Sequence, residues 1–255
     1  MLESYIRQQK KHKDILLMTH IVVGYPSLND CEKIVDEMVA SGVDIMELQI
    51  PFSEPIADGP VILKANQNAL ESGITISSCI DFAKRMKQKH DIPFLYMTYA
   101  NIVYKYGINH FVSTMVEDDI SGSIIPDLPP EEGMDYITAM KANQRSPIFI
   151  FAPTTSDERM SMLAKHGAGF VYCVARKGVT GAKTNFSYDL EDYLSRCRAS
   201  TSLPIALGFG VKDRADIEFL TGKVDIAVIG TQTIKIVEEQ GLNAVGPYIR
   251  HLRKG

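Results

Sequence analysis

The sequence predicts an α/β protein with the (β/α)8 TIM-barrel fold, formed by residues 1–255 as a single domain. Apolar runs of strand length alternate with amphipathic runs of helix length, which is typical of a parallel sheet with crossover helices. Many of the apolar runs lack a clean polar alternation, as expected of strands that are buried on both faces. The chain length of 255 residues also fits, because such barrels use about 250 residues as one domain.

Eight predicted strands follow one another in an even series, and this number favours a closed barrel over a doubly wound sheet. They cover residues 15–23, 44–50, 94–99, 122–126, 148–152, 170–175, 204–209 and 225–230. In a barrel of this type the active site lies at the carboxyl ends of the strands and in the loops that follow them. The candidate functional residues are therefore sought in those segments.

Helical patterns fill the intervals between the strands. The run "LNDCEKIVDEMVASG" begins with an Asn/Asp cap signal and ends at Gly42, with apolar residues at helical spacing. The run "TTSDERMSMLAKHGAG" offers Thr155 or Ser156 as a cap and has acidic residues in its first turn, where the helix dipole favours them. The runs "TISSCIDFAKRMKQKH" and "KDRADIEFL" show similar signals, and no linker or low-complexity segment indicates a second domain.

Composition argues against several classes of function. The net charge of -4 and the pI of about 5.9 give no basic surface for nucleic acid. The four cysteines form no C-x-x-C pair and no metal-binding spacing with histidine, so we expect reduced thiols and no metal. The N-terminal segment is too polar for a signal peptide, and no apolar run approaches the roughly 20 residues that span a bilayer. We therefore expect a cytoplasmic protein without a membrane partner.

The stretch "DIMELQIPF" places a carboxylate, Glu47, in an apolar run. Because strand side chains alternate, Met46 and Leu48 are predicted to face the helices and Glu47 the barrel interior. An ionised carboxylate is costly in an apolar wall, which suits a group that holds and transfers a proton near neutral pH. The alternative is a structural glutamate that is paired with a buried lysine or arginine.

The loop "PFSEPIADGP" carries a second carboxylate, Asp58. There we expect a solvated, ionised side chain that can accept a hydrogen bond from an N–H group of a substrate. The alternative is an aspartate that forms a turn before Gly59, and the spacing supports both interpretations equally.

Three segments near the last three predicted strands indicate a phosphate site. They are "GVTGA" (178–182), "GFG" (208–210) and "IGT" (229–231). Glycine allows backbone N–H groups to approach an anion closely, and the loops after the last two strands of such barrels commonly bind phosphate. The alternative is a set of turn glycines without a ligand.

The stretches "MELQIPFSEPIADGP", "IIPDLP", "GVTGA" and "GFGV", in this order and at these separations, resemble the tryptophan synthase alpha chain family. The resemblance covers essentially the whole chain, and the stretch with both carboxylates is its most specific part. It implies a lyase that cleaves indole-3-glycerol phosphate to indole and glyceraldehyde 3-phosphate by a retro-aldol reaction, in tryptophan biosynthesis. It also implies a chain without a cofactor of its own, whose beta-chain partner holds pyridoxal phosphate in an alpha2beta2 tetramer.

The resemblance assigns roles to individual residues. Glu47 matches the general acid/base, and Asp58 matches the carboxylate that holds the indole N–H. Asp127 matches a residue near the loops that meet the beta chain. The remaining matches are Tyr99, Tyr172 and Thr180 for substrate binding, and Gly181, Gly210, Gly230 and Thr231 for phosphate binding.

Some positions depart from the family pattern. His20 stands where an apolar residue is typical, and a wall histidine with satisfied hydrogen bonds is favoured there over an acid or base. Gln49 replaces the usual glycine and is expected to share the inward side with Glu47. Glu54 replaces an aspartate in a loop expected to meet the beta chain. Lys177 and Gln232 replace small residues near the predicted phosphate site.

Two further functions stay open beside a lyase in a complex. One is the same lyase acting alone and releasing free indole. The other is a catalytically weak barrel that mainly binds and activates a beta chain. The presence of both Glu47 and Asp58 argues against the second, because a barrel without catalysis has no need to bury Glu47.

Overall fold

The computed structural model describes residues 1–174, 186–208 and 210–253. Its strands form one parallel, nine-stranded sheet in the order β5-β4-β3-β2-β1-β9-β8-β7-β6. The strands are β1 (Leu16–Val22), β2 (Ile45–Gln49), β3 (Phe94–Met97), β4 (Gly122–Ile124), β5 (Ser146–Ile148), β6 (Ile150–Phe151), β7 (Val171–Val174), β8 (Ile205–Gly208) and β9 (Ile226–Ile229). Because β5 and β6 are consecutive pieces of one segment, the sheet closes into a barrel.

The fifth predicted strand differs from the observed one. The predicted range is 148–152, whereas the chain forms β5 and β6 on either side of Phe149. The segment changes its pairing partner at this residue, since β5 pairs with β4 and β6 pairs with β7. The other seven predicted strands each contain one observed strand.

Helices surround the barrel and cover one of its ends. They are α1 (Leu2–Gln9), α2 (Leu28–Ala40), α3 (Pro60–Glu71), α4 (Ile76–Lys89), α5 (Ala100–Tyr106), α6 (Ile108–Glu117), α7 (Met134–Ala142), α8 (Asp157–His166), α9 (Phe186–Ser200), α10 (Arg214–Leu220), α11 (Thr231–Gln240) and α12 (Val245–Arg253), with a 3-10 turn at Leu242–Ala244. None of the helices in the described part of the chain is both long and apolar enough to cross a bilayer.

Capping residues fix where two of these helices begin. Ser156 caps α8 by accepting a hydrogen bond from the Arg159 N–H, as the sequence predicted. For α2 the cap is Ser27, which accepts from the Asp30 N–H. The predicted Asn/Asp cap of α2 is therefore wrong, because those residues already lie inside the first turn.

The apolar side chains form two main cores. The larger one lies between the sheet and the helices and includes Met46 and Leu48 of β2. The smaller one fills the barrel interior and includes Ile45, with Leu2 and Ile6 of α1 covering its lower end. This alternation along β2 confirms the predicted inward direction of position 47.

Asp44 connects three parts of the chain at the end of the barrel opposite the carboxyl ends of the strands. Its carboxylate, which is fully buried, accepts a hydrogen bond of 2.8 Å from the Leu17 N–H of β1. Lys13 and Arg253 of α12 both form ion pairs with the same carboxylate. Asp44 immediately precedes β2, so this strand is held at its start from both ends of the chain.

Candidate active site

A cavity of about 260 Å3 opens at the carboxyl ends of the strands. This is the end at which barrels of this type carry their active sites. The predicted site residues that line the cavity are Glu47, Asp58, Tyr172, Gly210, Gly230 and Thr231. Tyr99 is hydrogen-bonded to Asp58. Thr180 and Gly181, like Lys177, lie outside the described residues.

Glu47 projects into this cavity and is paired with His20. The two residues are direct neighbours in the register of β1 and β2, and each is 4% exposed. Nδ1 of His20 lies 3.1 Å from Oε1 of Glu47. Among the described residues, no lysine or arginine forms an ion pair with Glu47. Within the described ranges the partner of Glu47 is therefore a histidine, and not the lysine or arginine of the alternative interpretation.

The pairing with Glu47 also determines the direction in which the pKa of His20 is shifted. Burial alone would lower the pKa of His20, because it disfavours the charged imidazolium. The negative charge of Glu47 and the hydrogen bond to it act in the opposite direction, with a further contribution from Asp58. The net effect is a pKa of His20 above its ordinary value.

Two side chains hold Asp58 in place. Nε2 of Gln49 donates a hydrogen bond of 2.6 Å to Oδ2 of Asp58, and the Tyr99 hydroxyl donates one of 3.1 Å to the same oxygen. Asp58 is half-buried, and burial raises its pKa, while the bond from Gln49 partly opposes that rise. The predicted solvated aspartate is thus corrected to a fixed and partly desolvated one.

Asn66 is a site residue that the sequence did not reveal. It is fully buried on α3, and its Oδ1 accepts a hydrogen bond of 3.0 Å from the Phe52 N–H and a longer one of 3.4 Å from Gln49. Its Nδ2 donates to the carbonyl of Ile62. Asn66 thereby joins the end of β2, the loop behind it and the helix that follows. An asparagine on the buried face of a helix was the available signal.

Two tyrosines remain protonated around the carboxylates. Burial raises the pKa of Tyr172 well above its usual value, and the charges of Glu47 and Asp58 add to this. Burial likewise raises the pKa of Tyr99, with Asp58 again adding to it. Both phenols are therefore hydrogen-bond donors at neutral pH.

The part of the cavity lining that follows β8 and β9 offers backbone donors. Gly210 adopts a φ of +49°, which favours glycine, and Gly230 precedes the first residue of α11, Thr231. No described side chain caps this helix, and since the Thr233 N–H bonds to the carbonyl of Gly230, the N–H groups of Thr231 and Gln232 are the donors left at its start. Gln232 also lines the cavity here. Such a helix start favours an anion.

The cysteines lie apart from this cavity and do not line it. All four of them, Cys31, Cys79, Cys173 and Cys197, are buried free thiols. Within the described ranges, no three histidine, cysteine, aspartate or glutamate side chains are grouped so as to hold a metal ion.

Comparison with known families agrees with the geometry of this site. The family described as tryptophan synthase alpha chain matches residues 6–248. The chain belongs to the tryptophan synthase alpha chain family. A tryptophan synthase alpha chain from Syntrophotalea carbinolica is 59% identical over 253 residues, which is 99% of this chain and 100% of the relative. One from Desulforapulum autotrophicum is 58% identical over 252 residues, or 99% and 100% of the two chains.

Solved structures show the same fold. A Mycobacterium tuberculosis tryptophan synthase superimposes with a TM-score of 0.91 at 27% identity, covering 100% of this chain and 98% of that chain. A tryptophan synthase complex from Pyrococcus furiosus gives 0.85 at 25% identity, covering 93% and 97%. Membership in the tryptophan synthase alpha chain family confirms the predicted barrel and the predicted enzyme class, a lyase of tryptophan biosynthesis.

Proposed function

We propose that Glu47 and Asp58 carry out the lyase reaction of this family in the present chain, the cleavage of indole-3-glycerol phosphate to indole and glyceraldehyde 3-phosphate. The observation that carries the proposal is their common cavity: a buried carboxylate and a second, fixed carboxylate line the same space at the carboxyl ends of the strands. A buried group suits proton transfer, and a fixed acceptor suits the binding of a ring N–H.

The chemistry follows from where charge develops. A proton is added to C3 of the indole ring, and the positive charge that results is shared with the ring nitrogen. Asp58 stabilises that charge as the acceptor of the N–H hydrogen bond. Glu47 serves as the acid at C3 and as the base for the glycerol hydroxyl whose carbon becomes the aldehyde. General acid/base catalysis of this kind contributes about 10²–10⁴-fold.

The proposal divides substrate binding between two sets of lining residues. Tyr172 and Tyr99 would contact or support the ring end, where the carboxylates lie. Gly210, Gly230 and Thr231 would bind the phosphate through backbone N–H groups and the threonine hydroxyl. Thr180 and Gly181 are proposed for the same roles on the strength of the family resemblance.

Glu47→Gln tests the assignment of the acid. The amide keeps the size and the hydrogen bond to His20 but cannot supply a proton, so we expect indole release to fall by about 10²-fold or more. Indole formation from indole-3-glycerol phosphate is measured, with Glu71→Gln on the exposed face of α3 as the matched control. A rate within a few-fold of the parent would show that another group is the acid.

The partner we propose is a tryptophan synthase beta chain, in an alpha2beta2 tetramer. Large apolar side chains are exposed on segments near the cavity mouth: Ile56 is 80% exposed, Tyr104 49% and Met134 45%. Asp127 accepts a hydrogen bond of 2.8 Å from the Ala100 N–H and so ties the loop after β4 to the start of α5. Exposed apolar side chains beside polar ones suit a protein interface.

The remaining functions are separated by one assay. Indole release is measured for the chain alone and with the beta chain. Strong activation of indole release by the beta chain supports a complex. High indole release by the chain alone supports a free lyase. If the chain releases no indole but still activates the beta chain, a weak barrel that acts on its partner is supported. We further propose that residues 1–255 form one domain, which has no cofactor of its own and acts in the cytoplasm. Pyridoxal phosphate is proposed for the beta chain.

A further inference from the structure

In the described part of the chain, His20 is the side chain that is hydrogen-bonded to Glu47, and the proposed reaction leaves it without a role. It replaces an apolar residue of the family pattern, and it lines the cavity. Its Nδ1 lies 3.1 Å from Oε1 of Glu47. A carboxylate only accepts hydrogen bonds, so Nδ1 carries the hydrogen when Glu47 is ionised.

The polar atoms of His20 and Glu47 that take no part in this hydrogen bond are also informative. Among the described residues, neither Nε2 of His20 nor Oε2 of Glu47 has a hydrogen-bond partner, although both atoms are buried. Buried polar atoms are almost always satisfied. One oxygen of Glu47 is thus fixed by His20, while the other remains for the substrate.

The surroundings of His20 favour a charged pair. Of the residues that the structure describes, the titratable groups that share the cavity with His20 are Glu47 of β2, Asp58 of the following loop and Tyr172 of β7. On its other side a small space is lined by Tyr25, whose pKa burial raises to about 12. Both tyrosines are neutral donors at neutral pH, and both carboxylates favour the imidazolium form of His20.

We propose that His20 is the positioning residue for Glu47 in the cleavage of indole-3-glycerol phosphate, and that the two side chains act as one acid/base unit that holds a single transferable proton. This inference rests on the proposed function. The one proton is held either on His20, as an imidazolium beside a carboxylate, or on Oε2 of Glu47, from which it reaches the substrate. In both states Nδ1 of His20 keeps its hydrogen and donates to Oε1 of Glu47.

The proton count of the unit closes over one cycle. A proton leaves the unit and forms the C–H bond at C3 of the ring. The bond from C3 to the glycerol chain then breaks, and its electron pair returns to the ring. As the O–H electron pair of the adjacent hydroxyl forms the carbonyl, that hydroxyl gives its proton to Glu47. The unit ends with the proton it began with, and no other reactant is needed.

Two substitutions of His20 distinguish its role in orienting Glu47 from its role in holding the proton. In His20→Asn the side-chain amide can still donate to Glu47 but does not titrate. In His20→Phe both properties are lost. We expect His20→Phe to lower kcat by about 10- to 100-fold, with KM changed by less than about threefold. We expect His20→Asn to recover most of kcat at acid pH, and the alkaline limb of its pH profile to move to lower pH, because Glu47 then holds the proton alone.

A second histidine provides the matched control. His90 is also paired with a carboxylate, with Nε2 2.7 Å from Oδ1 of Asp36, but it lies at the end of α4, away from the cavity. His90→Gln should leave kcat and the alkaline limb unchanged. If His20→Phe keeps the parent kcat, or if the alkaline limb of His20→Asn does not move, the proposal is wrong. Thermal unfolding shows whether His20→Phe folds, and His20→Asn carries the test if it does not.

A titration of the imidazole by NMR tests the pair without any turnover. In the parent, His20 should titrate above the ordinary histidine pKa, and in Glu47→Gln its pKa should fall. The same titration in both proteins would overturn the proposal. Absence of indole release from the parent would instead contradict the proposed function, while the titration would still decide whether the two side chains share a proton.

Discussion

At the scale of single residues, the bond between Gln49 and Asp58 determines how the second carboxylate meets its ligand. Gln49 donates from the end of β2 to a loop residue at 2.6 Å. A loop aspartate without such a donor would be free to rotate. Gln49 therefore fixes Asp58, the proposed acceptor, in advance, which would lower the entropic cost of substrate binding.

Gln49→Met tests this arrangement with a side chain of similar length and no donor. A hydrogen bond to a charged group contributes about 1.5–3 kcal/mol, so we expect KM for indole-3-glycerol phosphate to rise about tenfold or more. Steady-state indole release gives KM, and Gln88→Met on the exposed face of α4 is the control. An unchanged KM would mean that the Tyr99 hydrogen bond is sufficient to hold Asp58.

The same variant has a defined pH signature. Burial raises the pKa of Asp58, and the hydrogen bond from Gln49 holds it down in part. In the proposed reaction, only ionised Asp58 stabilises the positive charge that develops on the ring nitrogen, so activity should fall as pH drops through the pKa of Asp58. Without the Gln49 bond that pKa rises further, and the acid limb of kcat/KM should move to higher pH. A shift to lower pH would show that Gln49 does not stabilise the ionised form of Asp58.

Sequence reasoning located the two carboxylates but not their partners. The alternation of side chains along β2 is enough to predict that Glu47 and Gln49 face inward. The pairing of Glu47 with His20 depends on the register between β1 and β2. The residue pattern of one strand does not predict that register. The bond to Asp58 depends on the path of a loop, and turn signals do not determine that path.

At the scale of elements, close approach of neighbouring strands limits which residues the barrel accepts. Gly122 opens β4, and a Cβ at this position would lie 2.5 Å from the carbonyl oxygen of Ser146 in β5. A side chain there would push apart the two strands beside the place where the barrel closes. The glycine is therefore required by packing and not by a turn.

Gly122→Ala should destabilise the protein by about 1–3 kcal/mol, because the obstructing atom belongs to the backbone and cannot rotate away. Thermal unfolding measures the effect. Gly167→Ala at the end of α8 is the matched control, since a Cβ there has its nearest neighbours at 3.4 Å. Equal melting temperatures for the two variants would contradict the steric explanation.

The boundary of the fifth strand shows why element prediction is less exact than fold prediction. The apolar run at 148–152 was recognised, but Ser146 and Pro147 were not expected to pair. Ser146 and Pro147 lie in a strand because this segment pairs with the neighbouring β4. Such pairing depends on the assembled sheet and not on the local sequence. The even series of strands and helices, in contrast, was sufficient to predict the barrel.

At the scale of the whole molecule, Asp44 joins both ends of the chain to the barrel. Asp44→Ala should lower stability by about 3 kcal/mol, because the Leu17 N–H would lose its acceptor and Lys13 and Arg253 their common anion. Chemical denaturation gives the free energy of unfolding. Asp14→Ala, at an exposed position nearby, is the control and should change it little.

The proposed partner interface is also a property of the whole molecule. Ile56→Asp places a charge at the most exposed of the large apolar side chains in the described residues, next to the cavity-lining Ala57 and Asp58. We expect the affinity for a beta chain to fall about tenfold or more, because a desolvated charge without a partner weakens an interface core. Val116→Asp on α6, also exposed but distant from the cavity, should keep the affinity. Isothermal titration measures both.

The attachment at Asp44 has a mechanical consequence. A stretching force applied to the two ends of the described chain would pass through Lys13 and Arg253 to the foot of β2. That strand carries Glu47, the proposed proton donor, and we expect this residue to be displaced while most of the barrel is still folded. In an optical trap, product formation should cease at a lower tension than the one that unravels the sheet.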